Sequence, residues 1–149
     1  MAMGISVVIP TYNRSHLLAR AIDSVVKQTI QVEEIILVDN ASTDGTREFI
    51  QNHYPNVKYV LEPKKGVSSA RNRGIRAAQG KWIALLDSDD CWNKKKIETF
   101  LKFQSQSNFL TRIWHSDEVW IRNGNNLNQK FKHKKKGGYI FNHCLHACC

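Results

Sequence analysis

Trp82-Ile83-Ala84-Leu85-Leu86-Asp87-Ser88-Asp89-Asp90 decides the fold. Five apolar residues run without polar alternation into three carboxylates. Trp82 to Leu86 therefore reads as a strand buried on both faces, as in a parallel sheet. The acids fall at the carboxyl end of that strand, the edge at which open α/β sheets bind ligands. Three carboxylates so close together repel one another and call for a positive charge to balance them. Hard oxygen donors suit a divalent cation, Mg²⁺ or Mn²⁺, bridging to a phosphate. The plain alternative is a solvated acidic turn before a helix that starts near Asn93; the segments upstream weigh against it.

Upstream, Ile5-Ser6-Val7-Val8-Ile9 is a first strand closed by Pro10, followed by the loop Thr11-Tyr12-Asn13-Arg14. Ser15 is placed to cap a helix through about Gln28, with Leu17, Leu18, Ala21, Ile22, Val25 and Val26 on its apolar face. Glu34 to Val38 is a second buried strand ending in Asp39. A polar loop follows, Asn40-Ala41-Ser42-Thr43-Asp44-Gly45, and then a short helix over Thr46 to His53. Asp44 is expected to fix that loop or cap the helix. Val57 to Leu61 is a third strand. Ser68 or Ser69 is placed to cap a helix that Gly80 ends, and Asn93 one that carries Ile97, Phe100, Leu101 and Phe103. This alternation of strands and helices predicts an α/β fold with a doubly wound, mainly parallel sheet. All strand carboxyl ends then share one edge, where residues 10–14, Asp39 and residues 87–90 converge. The stretch Gly66-Val67-Ser68-Ser69-Ala70-Arg71-Asn72-Arg73-Gly74 adds a helix N-terminus and Arg71, both suited to an anion.

Bulk properties narrow the partners. The chain has 149 residues, enough for one domain with a real core. Its net charge of +9 favours anionic ligands. Three of the four cysteines fall in the last six residues, which is no disulfide framework. With no signal-peptide pattern and no long apolar run, the expectation is a reduced, intracellular protein. His143 to Cys149 lacks zinc-finger spacing and reads as structural cysteines. Lys130 to Lys136 reads as a solvated loop. Trp114 and Trp120 read as core before a lining of the acceptor side, and Asn123-Gly124 as a tight turn. No recognition motif of the common nucleic-acid modules is present, so no nucleic-acid partner is expected despite the charge.

Four motifs, in order, resemble family 2 glycosyltransferases of the GT-A, Rossmann-like fold. They are Val8-Ile9-Pro10-Thr11-Tyr12-Asn13-Arg14, Ile36-Leu37-Val38-Asp39-Asn40-Ala41-Ser42-Thr43-Asp44-Gly45-Thr46, the Gly66 to Gly74 stretch, and Leu85-Leu86-Asp87-Ser88-Asp89-Asp90. The resemblance implies a nucleotide-sugar-binding core over residues 1–105 and the start of an acceptor-side region over 106–149. It implies a nucleotide-diphospho-sugar donor, a UDP-sugar favoured, contacted by Pro10, Thr11, Tyr12, Asn13, Arg14, Asp39, Arg71, Asp87 and Ser88. Thr11 and Tyr12 would lie against the base and ribose. Asp39 would accept a hydrogen bond from the base, and Arg71 would sit by the base or diphosphate. Asp87 would contact the ribose or sugar, and Asp89 would ligate the divalent cation. The acceptor would be a saccharide or lipid-linked, the reaction inverting, and the site of action cytoplasmic, at the inner face of the membrane for a lipid-linked acceptor.

The chain departs from the family where catalysis finishes. Relatives supply the base from the acceptor-binding half, often within a Glu-Asp pair, and this chain contains no Glu-Asp pair. Asp117-Glu118 stands in the wrong place for it. The catalytic base is therefore left unassigned, and the end at Cys149, amid apolar residues, reads as a truncation or as a divergent short protein. Two rival readings follow: a nucleotide-sugar-binding module that transfers nothing, and a basic nucleic-acid-binding domain.

Overall fold

A computed structural model of the chain describes residues 4–106 and 113–127. The chain divides into two units, Met1–Gln106 and Ser107–Cys149. In the first, strands and helices alternate: β1 (Ile5–Thr11), α1 (Ser15–Val26), β2 (Glu34–Asp39), α2 (Thr46–His53), β3 (Lys58–Leu61), α3 (Val67–Ala77), β4 (Trp82–Leu85) and α4 (Lys96–Gln106). The sheet order is β3-β2-β1-β4, and every neighbouring pair is parallel. This is the doubly wound α/β sheet that the alternation of strands and helices predicts.

β1 is the spine, with all seven of its residues buried. Its alternating side chains feed two cores. Ile5, Val7 and Ile9 pack with Ile35 and Leu37 of β2, with Leu18, Ala21, Ile22 and Val25 of α1, and with Ile50 and Ile97 of α2 and α4. Val8 points the other way and packs with Ile36, Val38 and Ala70 under α3. The one polar side chain buried within this spine before Thr11 is satisfied: Ser6 Oγ donates to Glu34 Oε1 at 2.7 Å and accepts the Gly80 N–H at 2.8 Å.

β4 corrects one expectation. It is an edge strand of this sheet, not a strand covered on both faces. Trp82, Ala84 and Leu86 face the larger core, and Trp82 meets Phe100 of α4 edge-on, ring centroids 5.3 Å apart. Ile83 and Leu85 on the other face are 40% and 46% exposed. α3 lies over β1 and β2 and leaves that face of β4 uncovered.

Helix starts also differ in detail from the expected caps. No side chain caps α1 or α3 from its N-cap position, and Gly66 precedes α3 with a φ of +130°. Asp44 serves two helices instead. Its Oδ1 accepts the Thr46 hydroxyl at 2.6 Å, and its Oδ2 accepts the Ser15 N–H at 2.9 Å across the loop. Burial works to raise the Asp44 pKa, and these hydrogen bonds outweigh it and hold the carboxyl below its usual range. Asn93 accepts the Lys95 N–H, and Gln28 fastens the start of α4 by accepting the Ile97 N–H at 3.0 Å.

In the second unit, β5 (Trp120–Arg122) and β6 (Asn125–Leu127) form an antiparallel hairpin. Asn123 and Gly124 turn it with φ of 50° and 77°, the left-handed pair such a two-residue turn requires. Residues 113–119 form no strand, and Trp120, expected in a core, is 37% exposed. A three-residue strand in a two-stranded ribbon has little to bury it. The Lys130–Lys136 and His143–Cys149 readings lie outside the described residues.

Gly74 sets how closely α3 approaches the sheet. A Cβ there would come within 2.3 Å of Val8 Cγ1 and 3.0 Å of Val38 Cγ2. Both are fully buried branched side chains with nowhere to move. Gly74→Ala should therefore cost about 1–3 kcal/mol in denaturant unfolding, against the helix propensity gained. Unchanged or increased stability would contradict this packing.

Candidate functional site

The sheet order reverses between β1 and β4, since β2 and β3 extend to one side of β1 and β4 lies on the other. At such a switch point the loops after the two strands part and leave a crevice. Pro10 widens it. Leu86 N–H donates to the Val8 carbonyl at 3.1 Å, so Val8 and, two residues on, Pro10 face β4. Pro10 has no N–H to continue that ladder. β1 instead runs on with β2 alone, through Pro10 opposite Val38 and Thr11 opposite Asp39.

A cavity of about 660 Å³ fills the crevice. Pro10, Thr11, Tyr12 and Arg14 line it from the β1 side, and Asp87, Ser88 and Asp89 from the β4 side. Arg71 joins them from the first turns of α3. Eight of the residues expected at the site are thus brought together. Gly66, Val67 and Ala70, from the stretch expected to offer a helix N-terminus, complete the wall with Asn40 and Lys65, which the sequence did not single out. The position of Asn40 just after the strand-end Asp39, and the basic pair before Gly66, were the available signals.

Each missed polar residue has a visible task. Asn40 Nδ2 donates to the carbonyls of Glu62 and Lys64, both at 2.8 Å, and its Oδ1 accepts the Gly66 N–H at 2.7 Å. One side chain therefore holds the 62–66 loop at the α3 N-terminus. That loop carries Lys65, whose Nζ lies 5.3 Å above the Tyr12 ring centroid. The α3 N-terminus opens on the cavity, where helix dipole and backbone N–H groups favour an anion.

The acidic turn is closed by the Asp90 N–H donating to the Asp87 carbonyl at 3.0 Å. Arginines balance two of its carboxylates. Arg71 Nη2 lies 2.7 Å from Asp87 Oδ1, and Arg14 Nη1 lies 2.6 Å from Asp89 Oδ2. Two buried polar atoms of the cavity residues, Thr11 Oγ1 and Arg71 Nε, have no protein partner.

Asn13 and Asp39 stand outside the wall of this cavity. Asn13, at a left-handed φ of 51°, ties the β1 loop to the β2 loop. Its N–H donates to Ser42 Oγ at 2.9 Å, and its Oδ1 accepts the Thr43 N–H at 2.8 Å. Asp39 is only 2% exposed. Its Oδ1 accepts the Ser42 N–H at 2.9 Å, and its Oδ2 accepts the Tyr59 hydroxyl at 2.6 Å. Burial, and then this hydrogen bond to a carboxylate, push the Tyr59 pKa up, so its hydroxyl stays a donor. Asp39 and Tyr59 line a second, smaller cavity of about 320 Å³, with Thr46, Arg47 and Glu48.

Comparison with known proteins places this arrangement. The profile of the family described as Glycosyl transferase family 2 matches residues 6–149. An uncharacterized glycosyltransferase of Rickettsia conorii is 45% identical over 108 residues, covering 71% of this chain and 18% of the relative. The Escherichia coli UDP-Glc:alpha-D-GlcNAc-diphosphoundecaprenol beta-1,3-glucosyltransferase WfgD is 33% identical over 146 residues, covering 97% of this chain and 56% of WfgD. Among solved structures, Staphylococcus aureus TarS 1-349 in complex with UDP superposes with a TM-score of 0.66 at 25% identity, covering 90% of this chain and 40% of TarS 1-349. The mannosyltransferase PcManGT of Pyrobaculum calidifontis, in complex with GDP-Man and Mn2+, gives 0.61 at 25% identity, covering 70% of this chain and 33% of PcManGT. The chain spans between under a fifth and just over half of these curated relatives. With the sheet order, the strand-end motifs and the matched residues agreeing, the chain has the GT-A fold and belongs to glycosyl transferase family 2.

Proposed function

We propose that this chain forms the donor-binding part of a glycosyltransferase. In this reading it takes a nucleotide-diphospho-sugar, a UDP-sugar favoured, and a divalent cation, and transfers the sugar with inversion to a saccharide or lipid-linked acceptor. The observation that carries the reading is the cavity at the β1–β4 switch point, where Arg14, Lys65 and Arg71 share one space with Asp87 and Asp89. Family membership supports it, as do the UDP bound to TarS and the UDP-Glc donor in the name of WfgD.

The chemistry of each side chain suggests its role. The Tyr12 ring, 46% exposed, offers a face for the base, beside Pro10 and the free Thr11 hydroxyl for the ribose. Arg71, Arg14 and the α3 N-terminus suit the diphosphate. Asp87 and Ser88 suit hydroxyls of the ribose or sugar. Asp39 faces the second cavity, so it accepts from the base where the base extends to that cavity; its two protein donors leave room, since an ionised carboxylate has about four lone-pair sites. Asn13 supports the site through the 42–43 loop.

Among the described residues, no three His, Cys, Asp or Glu side chains gather as a ready metal cage. That fits a cation held jointly with a diphosphate, because Mg²⁺-type ions take one or two carboxylates and complete their shell from phosphates and water. Asp89 is the protein ligand in this reading; the Mn2+ in the PcManGT complex supports a divalent cation. Bound there, the cation supplies charge neutralisation that makes the diphosphate a better leaving group. The acceptor hydroxyl attacks the anomeric carbon as the bond to the diphosphate oxygen breaks, and a carboxylate base takes its proton. Residues 1–105 supply the donor core here, and 106–149 begin the acceptor side. Among the described residues no helix is long and apolar enough to cross a membrane. A place at the cytoplasmic face of one rests on the diphosphoundecaprenol acceptor named for WfgD.

Two variants separate these roles in calorimetric titrations. Asp89→Ala should weaken Mn²⁺-dependent UDP binding about tenfold or more, with circular dichroism unchanged. Wild-type UDP affinity in the presence of Mn²⁺ would contradict the metal assignment. Asp39→Ala should weaken UDP binding about tenfold with or without Mn²⁺, because it removes a base contact. A loss confined to the Mn²⁺ condition, or no loss, would move the base elsewhere.

A further inference from the structure

Two arginines hold Asp89 at once. Its Oδ2 pairs with Arg14 Nη1 at 2.6 Å, and its main-chain carbonyl accepts a hydrogen bond from Arg20 Nη2. Arg14 immediately precedes α1 and Arg20 lies within it, so one helix grips one residue of the acidic turn at two points. The two contacts differ in kind. Arg14 holds the carboxylate, and both side chains are about half exposed, at 45% and 47%. Burial does not force this pair to persist. Arg20 holds the backbone and does not line the cavity, whereas Arg14 and Asp89 both do.

We infer that Arg14 is a built-in counter-cation for Asp89, which it occupies until a divalent cation and a diphosphate enter together and draw the pair apart. This rests on the donor-site reading above and adds the residue that couples its two ligands. A guanidinium and a divalent cation on one carboxylate repel each other and compete for the same oxygens. A cation arriving alone must displace Arg14 with no anion to receive it. A diphosphate arriving alone must draw Arg14 from Asp89 and leave that carboxylate uncompensated. Arriving together, the diphosphate receives Arg14, beside Arg71 and Lys65 in the same cavity, and the cation takes Asp89. Each ligand therefore strengthens the other, and the coupling is reciprocal. Arg20 keeps the turn in place while the carboxylate changes partner.

The test is Mn²⁺ binding to the intact chain without nucleotide, followed by the electron paramagnetic resonance signal of free Mn²⁺. Arg14→Gln should bind Mn²⁺ about two- to fivefold more tightly than wild type, the range an exposed ion pair commands. UDP should then improve its Mn²⁺ binding by a smaller factor than in wild type. Arg14→Lys should fall between the two. If Arg14→Gln binds Mn²⁺ no more tightly while Asp89→Ala binds it less, the inference is overturned and the donor-site reading stands. If wild type and Asp89→Ala bind Mn²⁺ alike, with and without UDP, both are overturned.

Discussion

β1 pairs in parallel with β2 on one side and β4 on the other, and Pro10 ends the second pairing while the first runs on. A missing N–H at that one position separates the loop after β1 from the loop after β4. The separation is the cavity. The strand order makes the same point topologically, because β3 leads through α3 back across β1 to the far edge. α3 can cross so closely only because Gly74 has no side chain to meet Val8 and Val38. That crossing in turn delivers the α3 N-terminus, Gly66 and Arg71 to the cavity wall.

Electrostatics complete what the backbone begins. The acidic turn gathers carboxylates that would repel one another if left alone, and arginines from two different helical segments answer Asp87 and Asp89. The result is a polar site whose two lining carboxylates are each paired with an arginine, ready to exchange partners with an anion and a cation. Asn40 and Asp44 do comparable work for the loops. Each spans a gap between strand ends with several hydrogen bonds, so the cavity is framed by fixed backbone.

Much of this was legible in the sequence. The strand-helix alternation, the shared strand edge and eight of the cavity residues follow from apolar runs that end in polar or acidic residues. What was not legible depends on contacts distant in sequence. Trp82 to Leu86 reads as buried on both faces because its composition is uniformly apolar; the exposure of Ile83 and Leu85 follows from edge position, which periodicity does not encode. Ser15 looks like a cap, yet Asp44 from another loop holds its N–H. Asp39 sits at a strand end like the other site residues, but Tyr59 and Ser42 turn its carboxylate to a second cavity. Asn40 and Lys65 carry no motif of their own and gain their roles from the loop they hold.

The central claim is that the β1–β4 crevice is the donor site. The most direct measurement is a crystal structure of this chain with UDP and Mn²⁺, the metal located by its anomalous scattering. The account predicts a Mn²⁺ peak about 2.1 Å from an Asp89 carboxylate oxygen. It also places the diphosphate at the α3 N-terminus and Arg14 released from Asp89. UDP bound outside this crevice, or Mn²⁺ bound away from Asp89 with the Arg14–Asp89 pair intact, would contradict it.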